Sequence, residues 1–320
     1  MRNSLCLKPK SLAFLLIFGL ILFPSLSACS DSNTDASLSS NNLKDAKDAV
    51  RVGVLVNDSF NATQRRYELL FAEISKAIGR PVVFVSLKFE SQLDMIGSEK
   101  VDFVISNPLA SVQMRRLHDT EFLATASRRE TGHEFGGVIV VRPDSSIAAA
   151  ADLRGKKGAC LSMRTAAGGC LFQLYHLQQK GIDLSNPSDD ISIEEIPSQT
   201  GVAQAVIDGD VDFGFIRTGQ LEKMVNEGSL SSLDNLRVLE PIQDDYPLAR
   251  TTQLYPTWAI SALQDTPDEL VEQMRQALLD IPEGHEALTR AGFDQLVPPV
   301  NYSEIDVLIE SLNLASAGLE

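Results

Sequence analysis

The sequence has few basic residues, few histidines and few cysteines for its size. Its 320 residues include 28 Lys and Arg against 43 Asp and Glu, which gives a formal net charge of −15. A chain this acidic lacks the basic surface of nucleic-acid binders, so we expect no nucleic-acid partner. Any anion that it binds must be held by local dipoles and a few placed cations, because the long-range field repels anions.

The motifs of the common enzyme and metal-site classes are also missing. We find no G-x-S-x-G elbow, no P-loop lysine and no G-x-G-x-x-G turn, and no pair of carboxylates is singled out by its context. We therefore expect neither catalysis nor a cofactor, and an enzyme of the cell envelope is the remotest alternative. The histidines also show no metal-ligand spacing, so we expect no metal ion; they stand at positions 118, 133, 176 and 285.

The first 28 residues are typical of a secretory signal peptide. Basic residues begin the segment, an apolar run follows from 11 to 26, and the sequence L-S-A-C ends at Cys29. The apolar run is short for a membrane-spanning helix. The last four residues match a lipobox, in which Cys29 is lipidated and begins the mature chain; the alternative is a plain signal with an incidental cysteine. We therefore expect a membrane-anchored lipoprotein in the periplasm or at the cell surface.

Two further cysteines flank the most informative stretch, residues 158–177. It predicts a buried strand that ends near Cys160, a turn of small residues, and an amphipathic helix that contains Cys170. In an oxidising compartment, an even pair of cysteines is most often a disulfide. Inert thiols, or a thiol that contacts a ligand, are the alternatives.

The turn at 162–169, S-M-R-T-A-A-G-G, favours an anion site. A helix N-terminus carries about half a positive charge, and small residues let an anion approach the unpaired N–H groups. The alternative is an ordinary strand–turn–helix connection with a threonine as the helix cap. The residues that we expect to contact a small oxyanion here are Ser162, Arg164, Thr165, Ala166 and Gly168.

Strands and helices alternate through the rest of the chain. Such alternation predicts parallel sheets with βαβ crossovers. The chain is therefore expected to form two α/β lobes with a ligand cleft between them, joined by crossings near 136–137 and near 240. The predicted strands are 51–56, 81–85, 101–105, 122–128, 135–141, 158–161, 191–196, 211–216, 236–242 and 251–260, and the closing helices are 267–279, 285–291 and 303–315.

The two halves of the chain end similar strands in polar clusters. The sequence V-D-F at 101–103 leads to S-N-P at 106–108, and V-D-F at 211–213 leads to R-T-G at 217–219. Ligands of open α/β sheets bind beyond the carboxyl ends of strands, so both clusters should face one cleft.

The candidates in these clusters, and Tyr255 in the predicted strand 251–260, each have a structural alternative to ligand binding. Arg217 could offer a bidentate fork to an oxyanion, or pair with a carboxylate such as Glu222. Asn107 could donate its amide to the ligand, or serve the turn before proline. Tyr255 could seal the pocket with its hydroxyl, although a core position is the commoner fate of tyrosine.

These features together resemble the periplasmic solute-binding proteins of the phosphate/phosphite/phosphonate ABC-transporter family. The resemblance implies a type II periplasmic binding protein that closes on its ligand by a hinge motion. It also implies cleft contacts from Asn107, from Arg217 and Thr218, and from Tyr255. The matching features are the signal with its lipobox, the opening strand R-V-G-V-L-V, and the stretches 101–108, 122–141, 152–169, 205–222 and 252–260.

Stretches 212–222 and 254–258 are more similar to the sensor domains of tetrathionate-type histidine kinases. The turn 162–169 departs from the Ser/Thr-rich loop of phosphonate binders, because Ser162 and Thr165 are its only hydroxyls. We therefore expect a monomeric, lipid-anchored protein that captures a phosphate-, phosphite- or phosphonate-like oxyanion for an ABC permease. The alternative is a binding protein that partners a sensor histidine kinase and recognises a sulfur oxyanion or arsenite.

The predicted organisation has four parts. The expected boundaries are a signal peptide at 1–28, a lipidated cysteine and disordered tether at 29–50, a first lobe at 51–137 and 243–320, and a second lobe at 138–242.

Overall fold

The structure is a computed structural model. The predicted signal peptide, the lipidation site Cys29 and most of the predicted tether lie outside the described residues. The described residues belong to one compact unit, Ser39–Glu320, and no helix among them is long and apolar enough to cross a membrane. They are 48–56, 59–89, 91–98, 101–184 and 188–314.

Strands and helices alternate as the sequence predicts. The strands are β1 (Val50–Leu55), β2 (Val82–Leu87), β3 (Phe103–Ser106), β4 (Glu121–Ser127), β5 (Glu134–Phe135), β6 (Gly137–Val141), β7 (Lys157–Cys160), β8 (Ser192–Glu195), β9 (Phe213–Arg217), β10 (Arg237–Val238), β11 (Tyr255–Pro256), β12 (Ala259–Ala262) and β13 (Gln295–Val297). The helices are α1 (Phe60–Ile78), α2 (Gln92–Ser98), α3 (Pro108–His118), α4 (Phe172–Gln179), α5 (Gln199–Asp208), α6 (Gln220–Asn226), α7 (Asp268–Leu279), α8 (Glu286–Ala291) and α9 (Ser303–Ser311).

Two mixed sheets hold most of these strands. The first sheet has the order β13-β4-β12-β3-β1-β2, and the second has the order β10-β6-β9-β7-β8. In the first sheet, β1, β2 and β3 are parallel, and β12 lies antiparallel between β3 and β4. In the second, β7, β8 and β9 are parallel and β6 is antiparallel to β9. Each sheet therefore gathers the carboxyl ends of its parallel strands at one edge, where ligands of such folds bind.

A short ribbon marks the passage between the sheets. Strand β5 pairs with β11 in antiparallel fashion, with Phe135 opposite Tyr255. The chain enters the second sheet directly after β5, and it enters β12 of the first sheet shortly after β11. The predicted continuous strand 135–141 is therefore broken at Gly136, and the predicted strand 251–260 is split into two.

Local signals explain where the helices begin and end. Helix α1 begins at Ser59, whose side chain accepts a hydrogen bond from Ala62 N–H, and it ends at Gly79 in the left-handed conformation. Helix α3 was not predicted. Asn107 caps it by accepting from Ala110 N–H, and Pro108 occupies its first turn, where a missing N–H removes no helical hydrogen bond.

Other differences concern short elements. The predicted strand 236–242 is reduced to β10, which pairs with β6 of the second sheet; Glu240, at φ 44°, and Pro241 stop it from extending. Helix α6 and strand β13 were not predicted either.

Helix α9 packs against helices from both halves of the chain. Its side chains Ile305, Leu308 and Ile309 are fully buried in a cluster that also contains Leu109 of α3 and Phe172 of α4. Because α3 follows the first sheet and α4 belongs to the second, this cluster joins the two sheets, and it includes Ala166 and Ala167 of the predicted ligand turn.

Candidate functional site

A cleft of about 960 Å³ is lined by loops and helix ends from both sheets. Its lining differs in charge from the rest of this acidic chain, since cationic side chains outnumber carboxylates. The cationic side chains are Arg66, Arg128, Arg129, Arg217, Lys223 and Arg290, and the carboxylates are Glu130, Glu222, Glu227 and Asp294.

The predicted ligand turn leads into a π-helical turn, Ala167–Leu171, which continues as α4. Its N-cap residue, Ala166, has no side chain to cap it, whereas Asn107 caps α3 and Ser198 caps α5. The first N–H groups of a helix lack intrahelical acceptors. The uncapped turn lines the cleft from Ala166 to Gly169, so its amides offer a place for an anion.

Close packing fixes the position of this turn. A Cβ on Gly168 would lie 2.6 Å from the ring of Phe135 and 3.0 Å from the carbonyl oxygen of Gly136, so only glycine fits. Inside the turn, the Gln173 amide donates to the carbonyl oxygens of Gly168 and Ile216 at 2.9 and 2.8 Å. The turn is thereby held against the β5 ribbon and the end of β9.

A disulfide ties the same turn to the preceding strand. Cys160, at the end of β7, is bonded to Cys170, and their Cα atoms lie 5.2 Å apart. Both residues are fully buried. This is the pairing that the sequence favours over free thiols.

Thr165 and Asn107 join the two sides of the cleft instead of presenting free donors to it. The hydroxyl of Thr165 donates to the carbonyl oxygen of Phe89 at 2.6 Å, and the Asn107 amide donates to the carbonyl oxygen of Thr165 at 2.9 Å. The Asn107 side-chain oxygen caps α3. The structural role weighed for Asn107 before proline is thus present, as a helix cap. The cap weighed for Thr165 is absent, because the N-cap of the helix at this turn is Ala166.

Ser162 and Arg164 lie on the far side of the turn. The Ser162 hydroxyl accepts from Arg164 N–H at 3.3 Å, and the Arg164 guanidinium lies 3.4 Å from the Asp94 carboxylate on α2. These two residues and Thr165 are not part of the cleft lining. The helix begins at Ala167, one residue later than a Thr165 cap would place it.

Arg217 and Thr218 lie at the carboxyl end of β9 and line the cleft. The Arg217 N–H donates to the Gln199 side chain at 2.7 Å, and one guanidinium nitrogen donates to the carbonyl oxygen of Thr218 at 2.8 Å. These bonds hold the arginine stem beside Gly168, whose added Cβ would lie 3.2 Å from Cβ of Arg217.

Tyr255 is a core residue. It is 1% exposed, its ring stacks on Phe172 with centroids 3.9 Å apart, and burial raises the pKa of its hydroxyl. It does not line the cleft. Of the predicted contacts, the cleft brings together Asn107, Ala166, Gly168, Arg217 and Thr218.

The sequence analysis missed Arg128 and Tyr67. Arg128 directly follows β4, whose direction matches that of β3, and so it lies at the ligand edge of the first sheet. Both side chains line the cleft. Burial lowers the pKa of the Arg128 guanidinium and raises that of the Tyr67 hydroxyl. The strand-end rule that selected Arg217 would also have selected Arg128.

Comparisons with known proteins agree with this geometry. The sequence model of the family described as "ABC transporter, phosphonate, periplasmic substrate-binding protein" matches residues 52–302. The tetrathionate sensor histidine kinase TtrS of Salmonella typhimurium is 25% identical over 238 residues, which cover 72% of this chain and 39% of that protein. The chain therefore spans about two-fifths of the length of this curated relative.

Solved structures share the fold. PhnD1 from Prochlorococcus marinus, in complex with methylphosphonate, superposes with a TM-score of 0.66 at 16% identity, covering 83% of this chain and 99% of that one. XAC2383 from Xanthomonas citri, bound to ATP, superposes with a TM-score of 0.68 at 15% identity, covering 85% of this chain and 100% of that one. The periplasmic binding protein fold that the sequence predicts is confirmed.

Proposed function

We propose that this chain, which belongs to the phosphonate ABC-transporter periplasmic substrate-binding protein family, captures a small oxyanion in its cleft and delivers it to a membrane permease. Membership in this family supports a location outside the cytoplasm and a general role in solute binding with a permease as partner.

The observation that carries the proposal is the uncapped helix start at Ala167 beside Arg217. Both line one cleft, the first through main-chain N–H groups and the second through a guanidinium. N–H groups at a helix start attract an anion, and a guanidinium matches the planar spacing of two oxyanion oxygens. Because the lining carries surplus positive charge in a chain of net charge −15, selectivity for anions arises locally.

Closure would turn binding into a signal for the permease. Residues 51–137 with 243–320, and residues 138–242, are proposed to move as two lobes about the β5–β11 ribbon. A ligand that contacts both walls binds the closed arrangement better than the open one and therefore shifts the population toward it. The permease then recognises the closed surface.

The finer features of the proposal concern the N-terminus and the assembly. The lipobox at Cys29 supports a lipid anchor, and the Ser- and Asn-rich residues 30–49 support a flexible tether that lets the binding unit reach a permease from the membrane. The protein is proposed to act as a monomer.

A second function is favoured by one observation, the alignment with the tetrathionate sensor kinase over 238 residues. In that case the same cleft would bind a sulfur oxyanion or arsenite, and the closed form would be read by a histidine kinase. Neighbouring genes distinguish the two functions: a permease and an ATPase support transport, and a kinase and a response regulator support sensing.

The direct test is calorimetric titration of the mature protein with phosphate, phosphite, methylphosphonate, thiosulfate, tetrathionate and arsenite. At least one anion should bind, and Arg217→Gln should weaken it at least tenfold while leaving the melting temperature within a few degrees. Arg65→Gln is the matched control, because Arg65 is exposed on α1 and does not line the cleft. If no anion binds, or if both variants bind like the wild type, the proposal is wrong.

A further inference from the structure

We infer that the cleft contains a second anion subsite, formed by Arg128 and Tyr67, and that the ligand therefore carries negative charge at two ends. This inference rests on the proposed function, since it names the class of ligand for the same cleft.

Arg128 is a cation without a counter-charge. Within the described part of the chain, no carboxylate pairs with its guanidinium and no acceptor hydrogen-bonds to it; its main chain alone is bonded, to Gly132. Its neighbour Arg129 differs, because it is 76% exposed and pairs with Asp294 at 3.2 Å. The Arg128 side chain is half-buried in the cleft lining, and burial lowers the pKa of its guanidinium. A partly desolvated cation with no partner is unfavourable, and a bound anion would reduce that penalty.

Tyr67 supplies a second donor beside it. The side chain is 3% exposed, its ring contacts that of Phe293 edge-on at 6.1 Å, and it lines the cleft. No described residue accepts a hydrogen bond from its hydroxyl. Arg66 and Arg128 are its charged neighbours. Because burial outweighs these cations and raises the pKa, the hydroxyl stays protonated and available to donate.

The two subsites lie on different walls. Arg128 follows β4 and Tyr67 belongs to α1, both on the first sheet, whereas the uncapped turn at Ala167 and Arg217 belong to the second sheet. The subsite at Ala167 and Arg217 therefore offers a guanidinium with helix N–H groups, and the second subsite, at Arg128 and Tyr67, offers a guanidinium with a hydroxyl.

The size of the cleft also favours a longer ligand. The cleft offers about 960 Å³, which leaves room for a ligand longer than one tetrahedral oxyanion. This space exists although the two sides already touch through Thr165 and Phe89. The cleft is also lined by Phe135, Trp258 and Phe293, which suit an apolar linker. The ligand class is thus an anion with two charged ends, separated by a short carbon or sulfur chain.

The test uses probes matched except for the second charged end. Calorimetry on the mature protein compares ethylphosphonate with ethane-1,2-diphosphonate, and thiosulfate with tetrathionate. We expect the two-ended member of at least one pair to bind at least tenfold more tightly. Arg128→Gln should abolish that gain and leave the dissociation constant of the one-ended member within twofold of wild type. Tyr67→Phe should reduce the gain. Arg65→Gln, at an exposed position outside the cleft, should change neither affinity.

A second readout separates a ligand contact from a structural role. Because the Arg128 charge is unpaired, Arg128→Gln should leave the melting temperature of the ligand-free protein unchanged or raise it. A fall in that melting temperature, equal affinities within both pairs, or equal weakening of both members of the preferred pair would overturn the inference while leaving the proposed function standing. Absence of binding by every probe would overturn both.

Discussion

The side-chain amide of Asn107 donates a hydrogen bond to the main-chain carbonyl of Thr165 across a gap of 2.9 Å. Asn107 follows the last parallel strand of the first sheet, and Thr165 precedes the first helix turn of the second. Together with the hydrogen bond from the Thr165 hydroxyl to Phe89, this contact joins the two walls of the cleft. Asn107 and Thr165, which the sequence analysis predicted as ligand contacts, therefore help set the distance between the two walls.

The first prediction concerns the stability provided by this contact. Thr165→Val keeps the shape of the side chain but leaves the partly buried Phe89 carbonyl without its donor, so the free energy of unfolding should fall by about 0.5–1.5 kcal/mol. Urea denaturation of the ligand-free protein measures it. Thr120→Val is the matched control, because Thr120 is 3% exposed and its hydroxyl has no partner among the described residues; it should be neutral or stabilising. If Thr165→Val keeps its stability but loses anion affinity, the Thr165 hydroxyl contacts the ligand and does not stabilise the cleft walls.

Much of the fold could be predicted because its signals are local. Helix α1 shows an apolar spacing of three and four residues and a glycine stop, and both are readable without tertiary information. Helix α3 was missed because Asn107-Pro108 was interpreted as a strand terminator, although an asparagine followed by proline is equally a cap followed by a first-turn residue. Strand β13 has only three residues and pairs at the sheet edge, so its pattern is too short to detect.

The site was harder to predict than the fold. The rule that ligands bind at strand carboxyl ends identified Arg217 and Thr218 correctly as cleft-lining positions, and it did so without knowledge of their neighbours. It could not tell which face of the turn 162–169 meets the cleft, because that depends on a helix that begins at Ala167. The same rule would have selected Arg128, which ends the predicted strand 122–128, but its lack of a tertiary partner among the described residues is not recorded by any sequence pattern.

The second prediction concerns the disulfide. Closing a loop between residues ten apart in sequence restricts the unfolded chain, so replacing both cysteines by alanine should lower the free energy of unfolding by about 2–3 kcal/mol at 25 °C. Thiol titration of the denatured mature protein checks the bond itself: reduction should release two more sulfhydryls than the unreduced sample shows. Equal thiol counts before and after reduction would contradict the disulfide, whatever the stability of the variant.

The third prediction concerns pH. Burial, aided by the charge of Lys180 and opposed by that of Glu240, lowers the pKa of His176, whose Nε2 is buried without a partner among the described residues. The unfolded chain, with a pKa near 6.5, therefore binds more protons than the folded chain. Neutral His176 therefore contributes fully to the free energy of unfolding above about pH 6.5. That contribution is lost as the pH falls through the pKa of His176 in the folded protein.

His176→Gln should accordingly flatten the loss of stability between about pH 7.5 and pH 5, and Lys180→Met should reduce that loss partly, because it removes one of the causes of the lowered pKa. Urea midpoints measured in steps of half a pH unit check both. If the urea midpoints of wild type and His176→Gln change in parallel with pH over this range, His176 has the same pKa in the folded and unfolded states.

The last prediction concerns the glycine on which the anion turn packs. In Gly168→Ala the new methyl group would lie 2.6 Å from the Phe135 ring and 3.0 Å from a main-chain oxygen, so the turn must shift. We expect a loss of about 1–3 kcal/mol in the free energy of unfolding and, because the amides of Ala167–Leu171 move with it, a loss of anion affinity of at least tenfold. Phe135→Leu removes the closer of the two clashes, so the double variant should recover part of both losses. If Gly168→Ala destabilises the protein but leaves the anion affinity at the wild-type level, the amides of the turn do not contact the anion. Binding would then depend on the side chains of the cleft alone.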